Sequence, residues 1–337
     1  MHKKVWTGGA ALAALVLVGC SDTGVPSEVS APGPSLAQTV IDPTLDPGPA
    51  QRAAALIERV NARFAAKGSE IRVDEGWFFS IGRGTEPYRR LRTGSMWLNP
   101  RQVTYILDAS DYTKDVSASR VEAALVSAFD SWNAIDNTVL HATRLPDDGK
   151  NNDILDGMIF DRAGNCVDIV DLKSPRVLAY DAKTGGIDFD PAADNVFGGW
   201  LAPEYFAKCL GSQNIIGVTW TFSLPDGSID GTTDGYRDRL YTEQYYNTRF
   251  NWTDTGSPFL GDDDAPFDIE SIVVHETGHT HGLGHFGGPN TNEPFKLQPN
   301  GTVFDPEAVM NPFYLGGEKR DPFPTDVSAL RTMYTGN

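Results

Sequence analysis

A chain of 337 residues has room for one large domain or two ordinary ones, and its 40% hydrophobic and 22% charged residues are those of a globular protein. A formal net charge of -17 repels phosphate backbones and excludes nucleic acid as a partner. The balance suits a protein outside the cytoplasm and is compatible with bound cations.

His2, Lys3 and Lys4 make a cationic start, followed by the apolar run AALAALVLVG, too short to span a bilayer as a permanent helix. Together they predict a signal peptide over residues 1–19. The run ends in LVGC, Leu17 to Cys20, which resembles the bacterial lipobox. That resemblance implies a lipid on Cys20 as the first mature residue and, with Ser21 in place of Asp, an address at the outer membrane. The expectation is an extracytoplasmic monomer that touches the membrane only through its anchor. Residues 20–48, rich in Pro, Ser, Gly and Thr and without an apolar period, read as the tether.

PAQRAAALIERVNARFAAKG then predicts an amphipathic helix. Ala54, Leu56, Ile57, Val60 and Phe64 share a stripe, Pro49 stands ahead of it and Gly68 stops it. IRVDEGWFFSIG reads as a strand. Residues 49–95 are either an inhibitory pro-segment or an added part of the mature fold, ahead of a main domain at 96–337. QVTYILDAS alternates Val103, Tyr105 and Leu107 on one face and predicts a strand. SASRVEAALVSAFDSWNAI predicts a core helix through Val121, Ala124, Leu125, Ala128 and Trp132, capped by Ser117 or Ser119.

Residues 141–265 read as short strands (CVDIV, VLAYD and IIGVTWTFS) between loops rich in Gly, Asp and Pro. Two acidic knots, Asp226 to Gly235 and Gly261 to Asp264, either hold a structural Ca2+ through clustered carboxylates or are solvated loops; neither has EF-hand spacing. With Cys20 assigned to the anchor, Cys166 and Cys209 remain. Export favours a disulfide between them, with two buried thiols the alternative.

Four of the six histidines lie in VVHETGHTHGLGHFG, Val273 to Gly287. PFDIESIVVHETGH predicts a helix with Asp268 as its N-cap and Glu270 in its first turn. On it, His275 and His279 are i and i+4, so their imidazoles share a face and both can reach one Zn2+. Glu276 projects about 100° away, placed beside the metal to take a proton from a water held there. His285 would lie about 9 Å further along the axis if the helix continued, so the chain must stop and turn back. Gly282 is where a left-handed residue permits that reversal. Three ligands leave a fourth position open, as catalysis requires. His281 points elsewhere and reads as a surface residue or one behind the ligands, and the lone His141 reads the same way.

HETGHTHGLGH resembles the extended zinc motif of the metzincin metalloproteases. AVMNPFY, Ala308 to Tyr314, resembles their methionine turn with Met310 at its centre, in the form found in the matrixin branch. VEAALVSAFDSWNAI and PTDVSALRTMYTG resemble the first and last matrixin helices, the latter placing Asp326 under the active site. The likeness runs over roughly residues 95–335, resting on motifs and weak in the middle. It implies an α+β fold, a twisted mixed sheet with an active-site helix, a Met-turn and a C-terminal helix. It also implies one catalytic zinc on His275, His279 and His285, Glu276 as general base, and a protein or peptide substrate lying extended along an edge strand. Several departures stand out. Phe286 follows the third histidine, where Ser is common, and the middle region is long. Pro312 offers no tyrosinate, and there are no further histidines for a second zinc and no cysteine-switch motif. The expected function is a zinc endopeptidase acting on extracytoplasmic proteins. A gluzincin-type peptidase is disfavoured by Gly282 and the third histidine. The other alternative is a surface-anchored binding lipoprotein with a vestigial metal site.

Overall fold

The computed structural model describes residues 40–41, 47–66, 68–80, 95–171, 174, 177–180, 187–189, 191–224, 237–256, 265–289, 304–305, 307–312, 314 and 318–335. All belong to one of the two units into which the chain divides, 36–337. The signal peptide, Cys20, most of the tether and both acidic knots lie outside the described residues. Among those described, no helix is long and apolar enough to cross a membrane.

The protein is α+β, built on one mixed, twisted eight-stranded sheet. Its strands are β1 (Val40–Ile41), β2 (Arg72–Ser80), β3 (Ser95–Trp97), β4 (Val103–Leu107), β5 (Ala142–Arg144), β6 (Asn195–Leu201), β7 (Ile215–Leu224) and β8 (Arg237–Asn247). The order across the sheet is β1-β2-β7-β8-β6-β4-β5, with β3 pairing β8 beyond the start of β6. Only β7 runs antiparallel to its neighbours, and it lies between β2 and β8. From the N-terminal segment, β2 is a strand of the common sheet.

Both faces of the sheet are covered, so its strands read as runs of buried residues instead of alternating ones. One face packs on α2 (Ala118–Asn133), α3 (Ile269–Thr280) and α4 (Pro324–Met333), through Val121, Leu125, Phe129, Trp132, Ile272 and Leu330. The other packs on α1 (Pro47–Ala66), the 152–170 segment and a π-helix at Tyr205–Leu210. The apolar stripe of α1 is Ala53, Leu56, Ile57, Val60 and Phe64; Ala53 takes the place expected of Ala54. The helix begins at Pro47, two residues earlier than Pro49 predicted, and Gly68 follows it with φ 81°. Cys166 and Cys209 form a disulfide, Cα–Cα 5.0 Å, that ties the 152–170 segment to the π-helix on this face.

In the middle region IIGVTWTFS is β7, and CVDIV and VLAYD supply the short strands Cys166–Asp168 and Val177–Tyr180. Two principal strands there, β6 and β8, were not expected. Glycines 198 and 199 interrupt β6, where Gly199 has φ 88° and the register against β8 shifts. β8 carries Arg239, Thr242, Glu243 and Gln244 into the interior, which disguises it as a polar segment.

Candidate metal and catalytic site

Asp268 takes the N-cap position of α3, its Oδ2 accepting from the Ser271 amide at 3.0 Å. Burial alone would raise its pKa. The Arg320 guanidinium and the Ser271 hydroxyl and amide outweigh burial and hold the carboxyl below its usual range. At the other end, Gly282 has φ 92°. The Leu283 amide donates to Gly278 O at 2.9 Å and the Gly282 amide to His279 O at 2.9 Å, a Schellman ending with glycine at its left-handed position. The predicted reversal thus has a defined hydrogen-bond basis, and it carries His285 back over the helix.

The result is convergence. The Nε2 atoms of His275, His279 and His285 stand 3.0 Å (275–279) and 3.1 Å (275–285 and 279–285) apart. All three side chains are fully buried, and they are the one cluster of potential metal-ligating groups found among the described residues. His275 Nδ1 donates to Val309 O at 2.7 Å and His279 Nδ1 to Leu283 O at 2.8 Å. A neutral ring that donates from Nδ1 presents a lone pair at Nε2. Burial, reinforced by the neighbouring imidazoles, holds His275 and His279 well below the usual histidine range, so they do not relieve the contact by protonating. Lone pairs directed at a common point call for a cation. Nitrogen ligands of a tetrahedral ion at about 2.0–2.1 Å stand roughly 3.3–3.4 Å apart, close to the spacing here. The donor set fits Zn2+.

Glu276 is fully buried and does not join the triad. Its Oε2 accepts from Thr219 Oγ1 on β7 at 2.5 Å, while Oε1 has no hydrogen-bond partner. Burial pushes its pKa up to about 8 against the opposing Thr219 bond. Gly217, two residues before Thr219 on β7, makes room for it: a Cβ there would lie 2.7 Å from Glu276 Oε1.

Met310 lies directly beneath α3, where a Cβ on Gly278 would meet its Sδ at 2.2 Å and Trp132 Cζ2 at 2.9 Å. Asp326, in the first turn of α4, accepts from the Val309 amide at 2.8 Å, the Met310 amide at 3.3 Å and the Phe323 amide at 2.9 Å. Burial raises its pKa to about 6 although these bonds oppose it. Asp326 thereby fixes the 309–310 turn, whose Val309 carbonyl fixes the tautomer of His275. His281, in the C-cap position of α3, is not a surface residue; it is buried, edge-on to Phe129 and Trp132. His141 is exposed.

Three supporting residues lay outside the sequence reading. Arg239 of β8 is buried and donates to His279 O at 2.7 Å and Thr280 O at 2.5 Å, placing a cation on the last carbonyls of α3. Gln244 Nε2 donates to Thr280 Oγ1 at 2.7 Å, and Thr219 orients Glu276. Two more side chains, from β2, lie on the triad itself. Phe79 stacks on His275 with centroids 3.6 Å apart, and Trp77 on His279 at 4.9 Å. Searches of family models and of curated proteins find no match to this chain.

Proposed function

We propose that the chain is a zinc-dependent endopeptidase of the metzincin type, matrixin-like, acting on protein or peptide substrates outside the cytoplasm as an anchored lipoprotein. One observation carries the reading. Three buried imidazole nitrogens meet within 3.1 Å, while the adjacent Glu276 stays off the triad with one carboxylate oxygen free. Support comes also from Met310 and the Asp326-held turn beneath α3, from the mixed sheet, and from a C-terminal helix, the features that the resemblance implies.

His275, His279 and His285 would hold the zinc, which when bound acidifies water and polarises a scissile carbonyl. Glu276 takes the proton of the attacking water and delivers it to the departing amine. Thr219 holds Glu276 by its second oxygen, so the free oxygen is the one that exchanges the proton. Val309 O and Leu283 O keep His275 and His279 neutral and aimed. The complete burial of the triad favours a second reading, in which the metal is vestigial or merely staples a binding lipoprotein. Digestion of casein by the purified chain, before and after chelation of its zinc, separates the two. Chelator-sensitive digestion is expected; zinc-loaded chain with no digestion, even when the strand covering the site is loosened, sinks the enzyme reading.

A further inference from the structure

We propose that the hairpin 158–168 is a lipid-contact element that dips into the bilayer holding the Cys20 anchor and turns the far face of the sheet toward the membrane, an inference that rests on the anchored-lipoprotein reading. Met158, Ile159 and Phe160 are three of the four exposed large apolar side chains among the described residues, at 36, 36 and 38%. They are consecutive, and every residue from 158 to 165 is exposed, so they stand on a projection and not at the rim of a core. A run of three exposed apolar residues invites association, and a hairpin meant only for water carries polar ones there. Strand Ile159–Phe160 pairs with Cys166–Asp168 as a separate two-stranded sheet. Bonds elsewhere in the hairpin keep the three side chains out in solvent. At the turn, Asp161 Oδ1 accepts from the amides of Ala163 at 2.8 Å and Asn165 at 2.9 Å, and Gly164 has φ 81°. At the base, the Cys166–Cys209 disulfide, the Arg59 Nε bond to Val167 O at 3.0 Å and the Arg63–Asp168 ion pair tie the hairpin to α1 and the π-helix.

Lipid fits this surface better than protein does. Three side chains on a two-stranded ribbon fall far short of the roughly 800 Å² per partner that a stable protein interface buries. A bilayer sets no such minimum once an anchor holds the chain beside it, because a weak contact then works at high effective concentration. From Cys20 to Pro47 the chain can span at most about 90 Å, and the hairpin meets α1 at Arg59, about 18 Å along the helix from Pro47. The anchoring bilayer is therefore within reach of the hairpin. The rim also carries cations in a chain of net charge -17. Arg162 and Lys208 are exposed, and Lys208 Nζ stands 5.2 Å from the centroid of the Phe160 ring. Such side chains lay their stems along apolar surface and bring their charges to headgroup phosphates. Since α1 and the hairpin lie across the sheet from α2 and α3, the side bearing the triad then faces water. Its substrates are accordingly segments in solution and not segments embedded in the bilayer.

The test uses the full chain, exported and lipidated at Cys20, in vesicles of phosphatidylethanolamine and phosphatidylglycerol. An environment-sensitive thiol fluorophore is placed on Ile159→Cys in one preparation and on Ser119→Cys, exposed on α2, in another; Cys166 and Cys209 are consumed in their disulfide. A blue shift is expected at 159, with at least about a twofold loss of emission when lipid bearing a nitroxide near its headgroup is included, and neither change at 119. Adding Met158→Ser and Phe160→Ser to the Ile159→Cys chain is expected to abolish the quenching. Quenching that survives those two substitutions means that the label itself inserts, and overturns the proposal. Emission at 159 as unaffected as at 119, in a chain that floats with the vesicles, overturns the proposal and leaves the anchor reading intact. A blue shift without quenching means that protein covers the hairpin, and overturns it too. A wild-type chain that stays off the vesicles overturns the anchor reading and the proposal together. If Ile159→Cys does not fold, Ala163→Cys at the exposed turn takes its place.

Discussion

On the far face of the sheet Asp153 and Glu243 are carboxylates shut away from water, and on the near face His275, His279 and His285 are imidazoles shut away as completely. The carboxylates have a simple remedy. Burial, and for Asp153 the neighbouring Asp156 and Glu243, drive their pKa values upward, so a proton neutralises them. Glu243 is further served by the amides of Ile154 and Leu155 at 2.6 and 3.0 Å and the Tyr245 hydroxyl at 2.8 Å. The imidazoles lack that remedy. In His275 and His279 the Nδ1 position is engaged by a carbonyl, and burial pushes the affinity of those two rings for a further proton down. Equal burial thus means opposite things: Glu243 is served by donors of the fold, while the three imidazoles present nitrogens to one another, the arrangement on which the proposed zinc reading rests.

The largest expected effect breaks the near face. His279→Ala should lose zinc and at least about a thousandfold in kcat/KM, while Glu276→Gln should keep one zinc per chain and lose activity by roughly 10²–10⁴. Zinc content by atomic absorption beside peptide kinetics checks both. Near-normal turnover in Glu276→Gln would falsify the general-base assignment.

The far face should respond in stability alone. The Cys166–Cys209 disulfide spans 43 residues, and its removal by paired Cys→Ala substitutions is expected to cost about 2–4 kcal/mol with zinc binding retained. Urea denaturation monitored by Trp fluorescence measures the loss. Zinc lost at full native stability would show that the two faces are not separable.

A third change lies where the sheet supports the site. Arg239→Met removes the donors to His279 O, which keeps the Gly282 amide, and to Thr280 O, at about 1–3 kcal/mol. The same denaturation assay reads it; a neutral result would mean that water replaces the guanidinium.

How much of this was legible follows from the range of each interaction. The triad could be read because its ligands lie within eleven residues of each other, on a helix of known period ended by a glycine. Gly282 at φ 92° is that glycine. α1, α2 and α3 could be read for the same local reason. Arg239, Gln244 and Thr219 could not, since each reaches α3 from a strand 36 to 57 residues away in sequence. A polar residue in such a strand reads as facing solvent until the helix covering it is known. The aromatic cover is the extreme case. Trp77 and Phe79 look like ordinary strand residues, and only the pairing of β2 with β7 brings them onto rings some 200 residues further along.

The smallest expected effect sharpens the comparison by adding a third carboxylate, one whose pKa is lowered. Asp268 is as buried as Glu243, yet Arg320 lies against it with Nη2–Oδ1 at 2.6 Å. Burial pushes it up, but the guanidinium and Ser271 more than compensate. A carboxyl depressed in the folded state contributes stability that is fully present above its unfolded pKa of about 3.9 and is lost as pH falls through the lower folded value. Asp326 has the opposite sign. Its folded pKa near 6 means the folded chain binds the extra proton between about 4 and 6, so its contribution declines as pH rises through that window. Asp268→Asn should therefore cost about 1–2 kcal/mol at neutral pH, by weakening the cap of α3 and its ion pair, and progressively less as the pH is taken below 4. Urea midpoints of wild type and variant at pH 3, 5 and 7 measure the difference. A gap that stays constant down to pH 3 would mean that the Asp268 charge contributes nothing and that shape alone holds the start of the helix.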